Sequence, residues 1–504
     1  MFYHAPMTTK TADFVGSQGK TFHPARFWCP IMASFEVEPE VRAQAQAEPP
    51  KKNMVDKMRR ASMARHLAES GMNRTTRSNS EKEREGITRR EAWSNMVLAL
   101  VGVMVCYLPG IMYKAGWLLT PPLLLLSALV VVRMGDLICQ ACELAEQAQG
   151  AEAGSIKSYE ELATVIGVFK VLLVTKNTVL IATVLLGETF LTSAVEGLIP
   201  FDVSKSLVRW LVIFPAFCVM ALLKDLAQLS KYSWVGLVGM GMELVGLLVG
   251  CLLGCFQEMD RGYSMMPTDG TLTGMTGITL SAFIFSFAIL ATVPSVRSQM
   301  KKPEEMSLAL RDSILFTVVL YEIIMIWGYA AYGQKLQENL IETISAIFPL
   351  FCMLPSSGAL ANVAITAPLF FYCFFSAIEA TGNDALRTQG TPLNMAARLT
   401  LVILLTFVGW AIPQLLAIIG VFSSVFCVCN NLWFPLIFFH KLRRQAQRPA
   451  PVLGIVLDVA IGILGVLVFI YGLKGSVETL MEDFGFTEKE ENSNMTTTAA
   501  MLYW

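Results

Sequence analysis

The sequence predicts an all-α integral membrane protein with about eleven transmembrane helices. Hydrophobic residues make up 54% of its 504 residues and charged residues 16%, and the mean hydropathy is +0.53. Soluble proteins carry about 25% charged residues, so this composition indicates lipid as a second solvent. From Trp93 onward the chain consists of apolar stretches of about twenty residues, the length that crosses a hydrocarbon core of about 30 Å.

Eleven apolar stretches fit this length. They cover residues 94–114, 118–139, 176–198, 207–223, 233–256, 277–297, 313–332, 358–380, 396–412, 414–439 and 453–473. The apolar run 396–439 is too long for one helix, and we divide it at Pro413, because proline lacks an amide donor and disfavours helix in the residue before it. The stretch 341–354 is too short to span, so it is predicted to be interfacial or re-entrant.

These spans divide the chain into three regions. Residues 1–91 are polar and are expected to form a largely disordered cytosolic N-terminal arm. A helix on an anionic membrane surface between Lys51 and Arg90 is the less favoured alternative for part of this arm. Residues 92–473 form the transmembrane domain, and residues 474–504 form a short acidic tail on the outer face.

The positions of Lys and Arg predict the orientation in the membrane. Basic residues cluster in two short connections, which we therefore expect in the cytosol together with the N-terminus. They are Arg297, Lys301, Lys302 and Arg311 between spans six and seven, and Lys441, Arg443, Arg444 and Arg448 between spans ten and eleven. The protein is expected in the plasma membrane or in a vacuolar or lysosomal membrane.

Composition also disfavours several functions. The formal net charge of −1 removes a general argument for nucleic-acid binding. Only four His are present, none deep in an apolar stretch, so neither a membrane enzyme nor a His-ligated metal is expected. The eleven Cys are an odd number and lie mostly in apolar stretches, which favours packing over disulfides or metal binding. We therefore predict no enzymatic activity, no metal and no cofactor.

Helix-breaking residues inside spans indicate a transport site, because an unwound segment exposes backbone groups to a substrate. Span one carries Gly102 at its middle and Pro109 further on, and span six, its counterpart five spans later, carries Pro294. This pairing is typical of an inverted repeat of five plus five helices, although Gly and Pro are also common in membrane helices generally.

The residues from Val101 to Trp117 (VGVMVCYLPGIMYKAGW) resemble the first span of the amino acid/auxin permease family of transporters. Further agreements follow in the family's order: Tyr159-Glu160-Glu161-Leu162-Ala163 before Gly167; Pro294, Met300 and Pro303; Gly328-Tyr329-Ala330-Ala331-Tyr332-Gly333; and Pro413, Gly420 and Pro435. The resemblance implies the fold of the bacterial leucine transporter, with a 5+5 inverted repeat plus one extra helix. It also implies alternating access for amino acids, driven by protons or sodium.

Three features depart from the family pattern. Met104 stands where a second Gly is usual, and residues 279–293 contain no Gly near the break of span six. These two departures leave the identity of the amino acid open. Leu98 stands where the sodium-coupled branch tends to carry Asn, which favours proton coupling or exchange over sodium coupling.

The substrate is expected at the two breaks. Its carboxylate would bind backbone amides of span one, and its amino group would bind backbone carbonyls of span six. The predicted substrate-binding residues are Gly102, Val103, Met104, Phe285, Ser286, Phe287 and Ala288. Opening would alternate by movement of spans one and six against spans three and eight.

Three carboxyl groups near the middle of spans three, five and seven, Glu188, Glu243 and Glu322, are candidate proton-coupling groups. An ionisable side chain in the membrane costs about 2.5 to 3.5 kcal/mol on insertion scales, so it is a functional candidate by default. Glu188 ranks first because Gly187 beside it permits close helix approach. In the alternative interpretation, these carboxyls pair with neighbouring helices and are structural.

Together these patterns predict a secondary active transporter of neutral or cationic amino acids, with the proton as the preferred coupling ion. Acidic substrates are disfavoured, because a second negative charge would be repelled in a low dielectric. Two alternatives are an amino acid sensor or receptor of the same fold without sustained transport, and a sodium-coupled carrier. The predicted partners are the amino acid substrate and membrane lipid.

Overall fold

The computed structural model describes residues 86–199, 203–222, 233–267, 271–381, 391–411, 415–449 and 451–483. Three predictions lie wholly or partly outside these residues: the disorder of the N-terminal arm up to residue 85, the break at Pro413, and the acidic tail beyond residue 483. Inside them, residues 86–91 already form the entry to the first helix. The last helix continues beyond the predicted end of span eleven to Asp483.

The described chain is helical, apart from turns, loops and one isolated parallel bridge between Ile87 and Met300. In chain order the helices are α1 (Arg89–Leu100), α2 (Leu108–Ala115), α3 (Thr120–Gln149), α4 (Tyr159–Ile166), α5 (Phe169–Glu196), α6 (Lys205–Leu222), α7 (Ser233–Phe256), α8 (Leu272–Ser286), α9 (Val293–Gln299), α10 (Met306–Tyr332), α11 (Leu340–Ile347), α12 (Met353–Thr381), α13 (Pro392–Ala411), α14 (Leu415–Phe422), α15 (Phe434–Gln445), α16 (Val452–Leu467) and α17 (Leu473–Asp483). Short π-helical turns continue α14 into α15 and α16 into α17.

Every predicted span coincides with one or two of these helices, and α7 has the predicted bounds 233–256. Nine helical segments among the described residues are long and apolar enough to cross a membrane. The all-helical multi-pass membrane fold is therefore confirmed, whereas the count of eleven stays a prediction. The first and the eighth predicted spans are not among the nine; the first is divided into the short helices α1 and α2, and the eighth corresponds to α12.

Two short helices lie between the long ones. Helix α4 begins after Ser158, whose side chain accepts a hydrogen bond from the amide of Glu161, and ends at Gly167, whose φ of 82° is left-handed. Helix α11 follows Asn339, whose side chain accepts from the amide of Ile341. An eight-residue helix is only about 12 Å long, so α11 cannot span a bilayer, as predicted for the stretch 341–354.

Buried contacts tie the helices together at the end that carries Arg297, Lys301 and Arg443, which we call the basic end. Arg297 on α9 forms a two-pronged ion pair with Glu146 on α3, at 2.7 and 3.0 Å. Glu146 also accepts from the amide of Gly154, at 2.8 Å. This one carboxylate therefore joins α3, α9 and the loop after α3.

At the other end of the bundle, which we call the opposite end, the connections after α2, α7 and α10 meet. Lys114 at the end of α2 forms an ion pair with Glu338 before α11, at 2.7 Å. The amide of Trp117 donates to the carbonyl of Ser264, at 3.2 Å. These contacts hold the second half of span one against the opposite-end loops.

Helices α7 and α12 approach each other closely because glycine faces the neighbouring helix on both sides. A Cβ on Gly239 of α7 would lie 2.8 Å from the Cβ of Ala361, and a Cβ on Gly358 of α12 would lie 2.4 Å from the amide nitrogen of Glu243. Such small residues allow membrane helices to pack with their backbones nearly in contact. This packing brings Glu243 beside α12.

Candidate substrate site

The first span is interrupted at the residues that the sequence singled out. Helix α1 ends at Leu100, Gly102 is extended (φ −109°, ψ −156°), and residues 103–106 form one short 3-10 turn before α2. Pro109 in the first turn of α2 has no amide hydrogen, so the helical hydrogen bonding cannot continue unbroken through this segment. A Cβ on Gly102 would meet no atom within 4 Å, so the backbone there borders open space.

The sixth span is interrupted without any glycine. Helix α8 ends at Ser286, and the hydrogen bonds after it span fewer residues than in an α-helix. The amide of Ala288 donates to the carbonyl of Phe285, and the amide of Ile289 donates to the carbonyl of Phe287. Pro294 lies in the first turn of α9. Pro294 therefore marks the helix that follows the break, and the missing Gly does not prevent the interruption.

The two interruptions border one cavity of about 130 Å³. It is lined by Leu98, Ala99, Leu100, Gly102, Val103, Met104, Thr183, Val184, Leu186, Gly187, Phe285, Ser286, Ala288, Ile289, Thr292, Asn362, Val363, Thr366, Ala367 and Phe370. The structure thus brings together six of the seven predicted substrate-binding residues. The seventh, Phe287, lies outside this lining: it is fully buried and its ring packs against Tyr321, with the centroids 5.8 Å apart.

The chemistry of the cavity is neutral. No charged side chain is among the described residues that line it, and most lining side chains are apolar. The hydroxyls of Ser286 and Thr366 donate to carbonyls of their own helices, at 2.8 and 3.0 Å. Asn362 on α12 is the lining residue with a carboxamide, and it is only 2% exposed.

Glu188, the leading coupling candidate from sequence, lies outside the lining of this cavity, although Gly187 beside it is part of that lining. Its Oε1 is 3.3 Å from Nε of Arg209 on α6, and both side chains are buried. Arg209 also donates to the carbonyl of Gly409 on α13. Sequence analysis missed this partner, although Arg209 lies inside the predicted span 207–223, where a cation needs a counter-charge.

Glu243 contacts both the first interruption and the lining of the cavity. It accepts from the thiol of Cys106 at 3.3 Å and from Nδ2 of Asn362 at 3.4 Å, and it is 1% exposed. Cys106 belongs to the 3-10 turn of the first interruption, and Asn362 lines the cavity. One carboxylate therefore connects the break in span one with α12.

Glu322 on α10 is half-buried, and its Oε2 has no hydrogen-bond partner among the described residues. It is not among the lining residues of the cavity. The structure thus separates the three carboxyls: Glu243 adjoins the site, Glu188 pairs with Arg209, and Glu322 stands apart.

On the side of the opposite end, two aromatic side chains pack together next to the site. The ring of Tyr107 lies 6.3 Å from that of Phe190. Beyond them, Glu342 of α11 accepts from Ser193 at 2.5 Å and pairs with Lys205 at 3.0 Å, and these three residues line a second cavity of about 560 Å³. On the side of the basic end, the lining of the cavity continues along α1 to Leu98 and along α12 to Phe370.

Residues 85–478 match the family model described as transmembrane amino acid transporter protein. The chain belongs to this family. The resemblance to amino acid permeases that the sequence suggested is therefore confirmed. The family and the relatives below are transporters rather than enzymes.

Two similar proteins align with this chain over most of their own length. The vesicular inhibitory amino acid transporter of Xenopus tropicalis is 22% identical over 426 residues, which cover 79% of this chain and 78% of the relative. The amino acid transporter AVT3A of Arabidopsis thaliana is 21% identical over 405 residues, which cover 78% and 90%.

Two solved transporter structures also align with this member of the family. The crystal structure of MhsT in complex with L-phenylalanine aligns with a TM-score of 0.43 and 14% identity, over 78% of this chain and all of that one. Mhp1, a nucleobase-cation-symport-1 family transporter in a closed conformation with bromovinylhydantoin bound, aligns with a TM-score of 0.44 and 12% identity, over 81% and 96%. The inverted repeat itself stays a prediction.

Proposed function

We propose that the protein is a secondary active transporter that moves neutral amino acids across a membrane by alternating access. The observation that carries this proposal is that the interruptions of spans one and six border the same cavity, whose described lining is uncharged. A cationic substrate would bring a charged side chain into a lining without a charged partner among the described residues, and this would cost free energy. The neutral class is therefore preferred over the cationic one.

The two interruptions provide complementary backbone groups for an amino acid. The first amides of the 3-10 turn that begins at Val103 have no acceptor within that turn, and we place the substrate carboxylate there. Of the last carbonyls of α8, those of Phe283, Ile284 and Phe285 accept from Phe287, Asn431 and Ala288, so we place the amino group near the carbonyl of Ser286. Backbone groups that are unpaired in the helices thus recognise the parts common to all amino acids.

Alternating access requires the side chains between the cavity and the opposite end to separate in one state. On that side the buried rings of Tyr107 and Phe190 pack together, and Glu342 contacts Ser193 and Lys205 beyond them. The reverse state requires α1 and α9 to close on α12 while these contacts separate. We therefore assign this conformation to a state closed at the opposite end, which is the outer face in the predicted orientation.

We propose the proton as the coupling ion and Glu243 as the leading coupling group. Its carboxylate contacts Cys106 in the first interruption and Asn362 in the lining, so a change in its charge acts directly on the site. Glu188 ranks second, because its ion pair with Arg209 lies outside the cavity lining. Glu322 ranks third, since no described contact joins it to the site.

We also propose a cytosolic N-terminus, because Lys and Arg gather at the basic end, where α1 begins. The membrane is a plasma membrane or a vacuolar or lysosomal membrane. The relatives named vesicular inhibitory amino acid transporter and amino acid transporter AVT3A support amino acids as the substrate class.

Uptake of radiolabelled amino acids into proteoliposomes tests this function. Neutral, cationic and acidic amino acids are offered with an imposed proton gradient, without one, and with sodium replaced by choline, and protein-free liposomes serve as control. We expect saturable uptake of neutral amino acids that rises with the proton gradient and is indifferent to sodium. Saturable binding without uptake would identify a sensor instead, and loss of uptake in choline would identify a sodium-coupled carrier.

A further inference from the structure

Asn362 carries an unpaired acceptor at the cavity. Its Nδ2 donates to Oε2 of Glu243, whereas its Oδ1 is buried and contacts no donor among the described residues. A buried carbonyl oxygen without a partner is unfavourable, and native proteins normally satisfy such atoms with protein, water or ligand. Because Asn362 lines the cavity and its amide nitrogen faces Glu243, Oδ1 is the atom that it offers to a bound molecule.

Glu243 fixes the direction of this carboxamide. An ionised carboxylate only accepts hydrogen bonds, so it selects the NH2 side of Asn362 and leaves the oxygen for the cavity. Its other oxygen accepts from the thiol of Cys106, so both carboxylate oxygens have a donor. Gly358 allows this contact, since a side chain there would meet the backbone of Glu243.

The chemistry of the free atom identifies its ligand group. A carbonyl oxygen accepts and cannot donate, so it would repel the carboxylate of an amino acid and attract its ammonium group, which has three donors. Glu243 bonds the other side of the carboxamide, so its negative charge lies near an ammonium group bound at Oδ1 and attracts it. The polar part of the substrate that suits this wall of the cavity is therefore the ammonium group.

We propose that Oδ1 of Asn362 accepts a hydrogen bond from the substrate ammonium group, and that Glu243 is the positioning residue that holds the carboxamide in this direction. The assignment rests on the proposed amino acid transport, and it adds a side-chain contact on α12 to the backbone carbonyls of the sixth span. It means that recognition of the amino group depends on α12, and not only on the interrupted helices.

Selectivity between an amino acid and its des-amino analogue tests the assignment. In proteoliposomes, uptake of a labelled neutral amino acid is inhibited with the unlabelled amino acid and with the carboxylic acid that lacks the amino group. Asn362→Leu keeps the approximate volume and removes the acceptor. We expect the apparent affinity for the amino acid to fall about 10-fold or more, as for loss of a hydrogen bond to a charged group, while that for the des-amino acid changes less than about 2-fold.

Two further variants separate this contact from packing. Val363→Ala alters the neighbouring lining residue without changing any polar group, so it should change both affinities by the same factor. Glu243→Gln releases the carboxamide, because the glutamine amide can donate as well as accept, and it should reduce the preference for the amino group. Combined with Asn362→Leu it should cause no further loss of preference, since both changes affect one contact.

The outcomes are distinct. If Asn362→Leu does not yield a monodisperse protein, Asn362→Ala, which cannot overpack the site, is measured with the same expectation. Asn362 variants that transport and keep the wild-type preference for the amino group overturn the assignment. A second result also overturns it: if wild-type uptake depends on sodium, and an Asn362 variant loses that dependence but keeps the preference for the amino group, Oδ1 binds sodium instead of the ammonium group. A wild-type protein that neither binds nor transports amino acids overturns the proposed function and the assignment together.

Discussion

Arg209 Nε lies 3.3 Å from Oε1 of Glu188, and the same guanidinium donates to the carbonyl of Gly409. One buried cation thereby joins α5, α6 and α13. A Cβ on Gly409 would lie 2.6 Å from Oε2 of Glu188, so the glycine makes room for the carboxylate. This arrangement supports a structural role for Glu188 and weakens the case for it as the coupling group.

Separating this pair is expected to destabilise the fold. Arg209→Met leaves Glu188 buried without its counter-charge, and breaking a buried pair typically costs about 3 to 5 kcal/mol. The thermal unfolding midpoint in detergent should fall clearly. Glu188→Leu combined with Arg209→Met should recover much of the loss, since no charge is left unpaired. A single variant as stable as the wild type would contradict the buried pair.

A side chain at position 102 should abolish transport without preventing folding. A Cβ on Gly102 meets nothing within 4 Å, so Gly102→Leu would place its side chain in the cavity of about 130 Å³. Uptake is measured in proteoliposomes, and folding by gel filtration. Gly241→Leu is the matched control, because a Cβ there also meets no atom within 4 Å and Gly241 is not among the lining residues. Wild-type uptake by Gly102→Leu would place the site elsewhere.

Removing the titratable group of Glu243 should flatten the pH dependence of uptake. Glu243→Gln keeps the size of the side chain next to Cys106 and Asn362 but can no longer change its charge. Initial uptake rates are compared across external pH values for the wild type and the variant. Glu322→Gln is the control, and we expect it to retain the wild-type pH response, because Glu322 does not line the cavity. An unchanged pH profile in Glu243→Gln would exclude Glu243 as the coupling group.

The ion pair at the basic end should contribute strongly to stability. Arg297 is 1% exposed and forms two hydrogen bonds with Glu146, so Arg297→Met should cost about 3 to 5 kcal/mol by leaving the carboxylate unpaired. Lys302→Met is the control, since the Lys302 side chain is 67% exposed and its pair with Glu305 is worth about 0 to 1 kcal/mol. Thermal unfolding of both variants provides the comparison. Equal midpoints would show that the pair does not hold α9.

The N-terminal arm is expected to be dispensable for transport up to residue 85. Deletion of residues 2–85 keeps Ile87, whose amide donates to Gln299 and whose carbonyl accepts from Lys301. Deletion of residues 2–91 also removes these contacts and Thr88, which caps α1 together with Glu91. We expect normal uptake per molecule from the shorter deletion, and a lower unfolding midpoint from the longer one. Loss of transport by correctly targeted protein lacking residues 2–85 would assign the arm a function.

The sequence alone determined the membrane class, the positions of the helical spans and the two interruptions. Span length and apolar composition are local properties, and they placed residues 233–256 with the bounds of α7. Helix-breaking residues are also local, so Gly102 and Pro294 marked the interrupted spans before the cavity was known. The sequence also indicated the likeness to amino acid permeases, because the motifs of that family are short runs of residues.

Only the tertiary structure decided which side chains face one another. Apolar residues surround a membrane helix on all sides, so its sequence indicates its rotation weakly. Sequence therefore included Phe287, which packs on Tyr321, and did not recognise Asn362, which lines the cavity. The ranking of Glu188 over Glu243 changed for the same physical reason: their partners, Arg209 and Asn362, lie on other helices and are brought near only when the bundle packs.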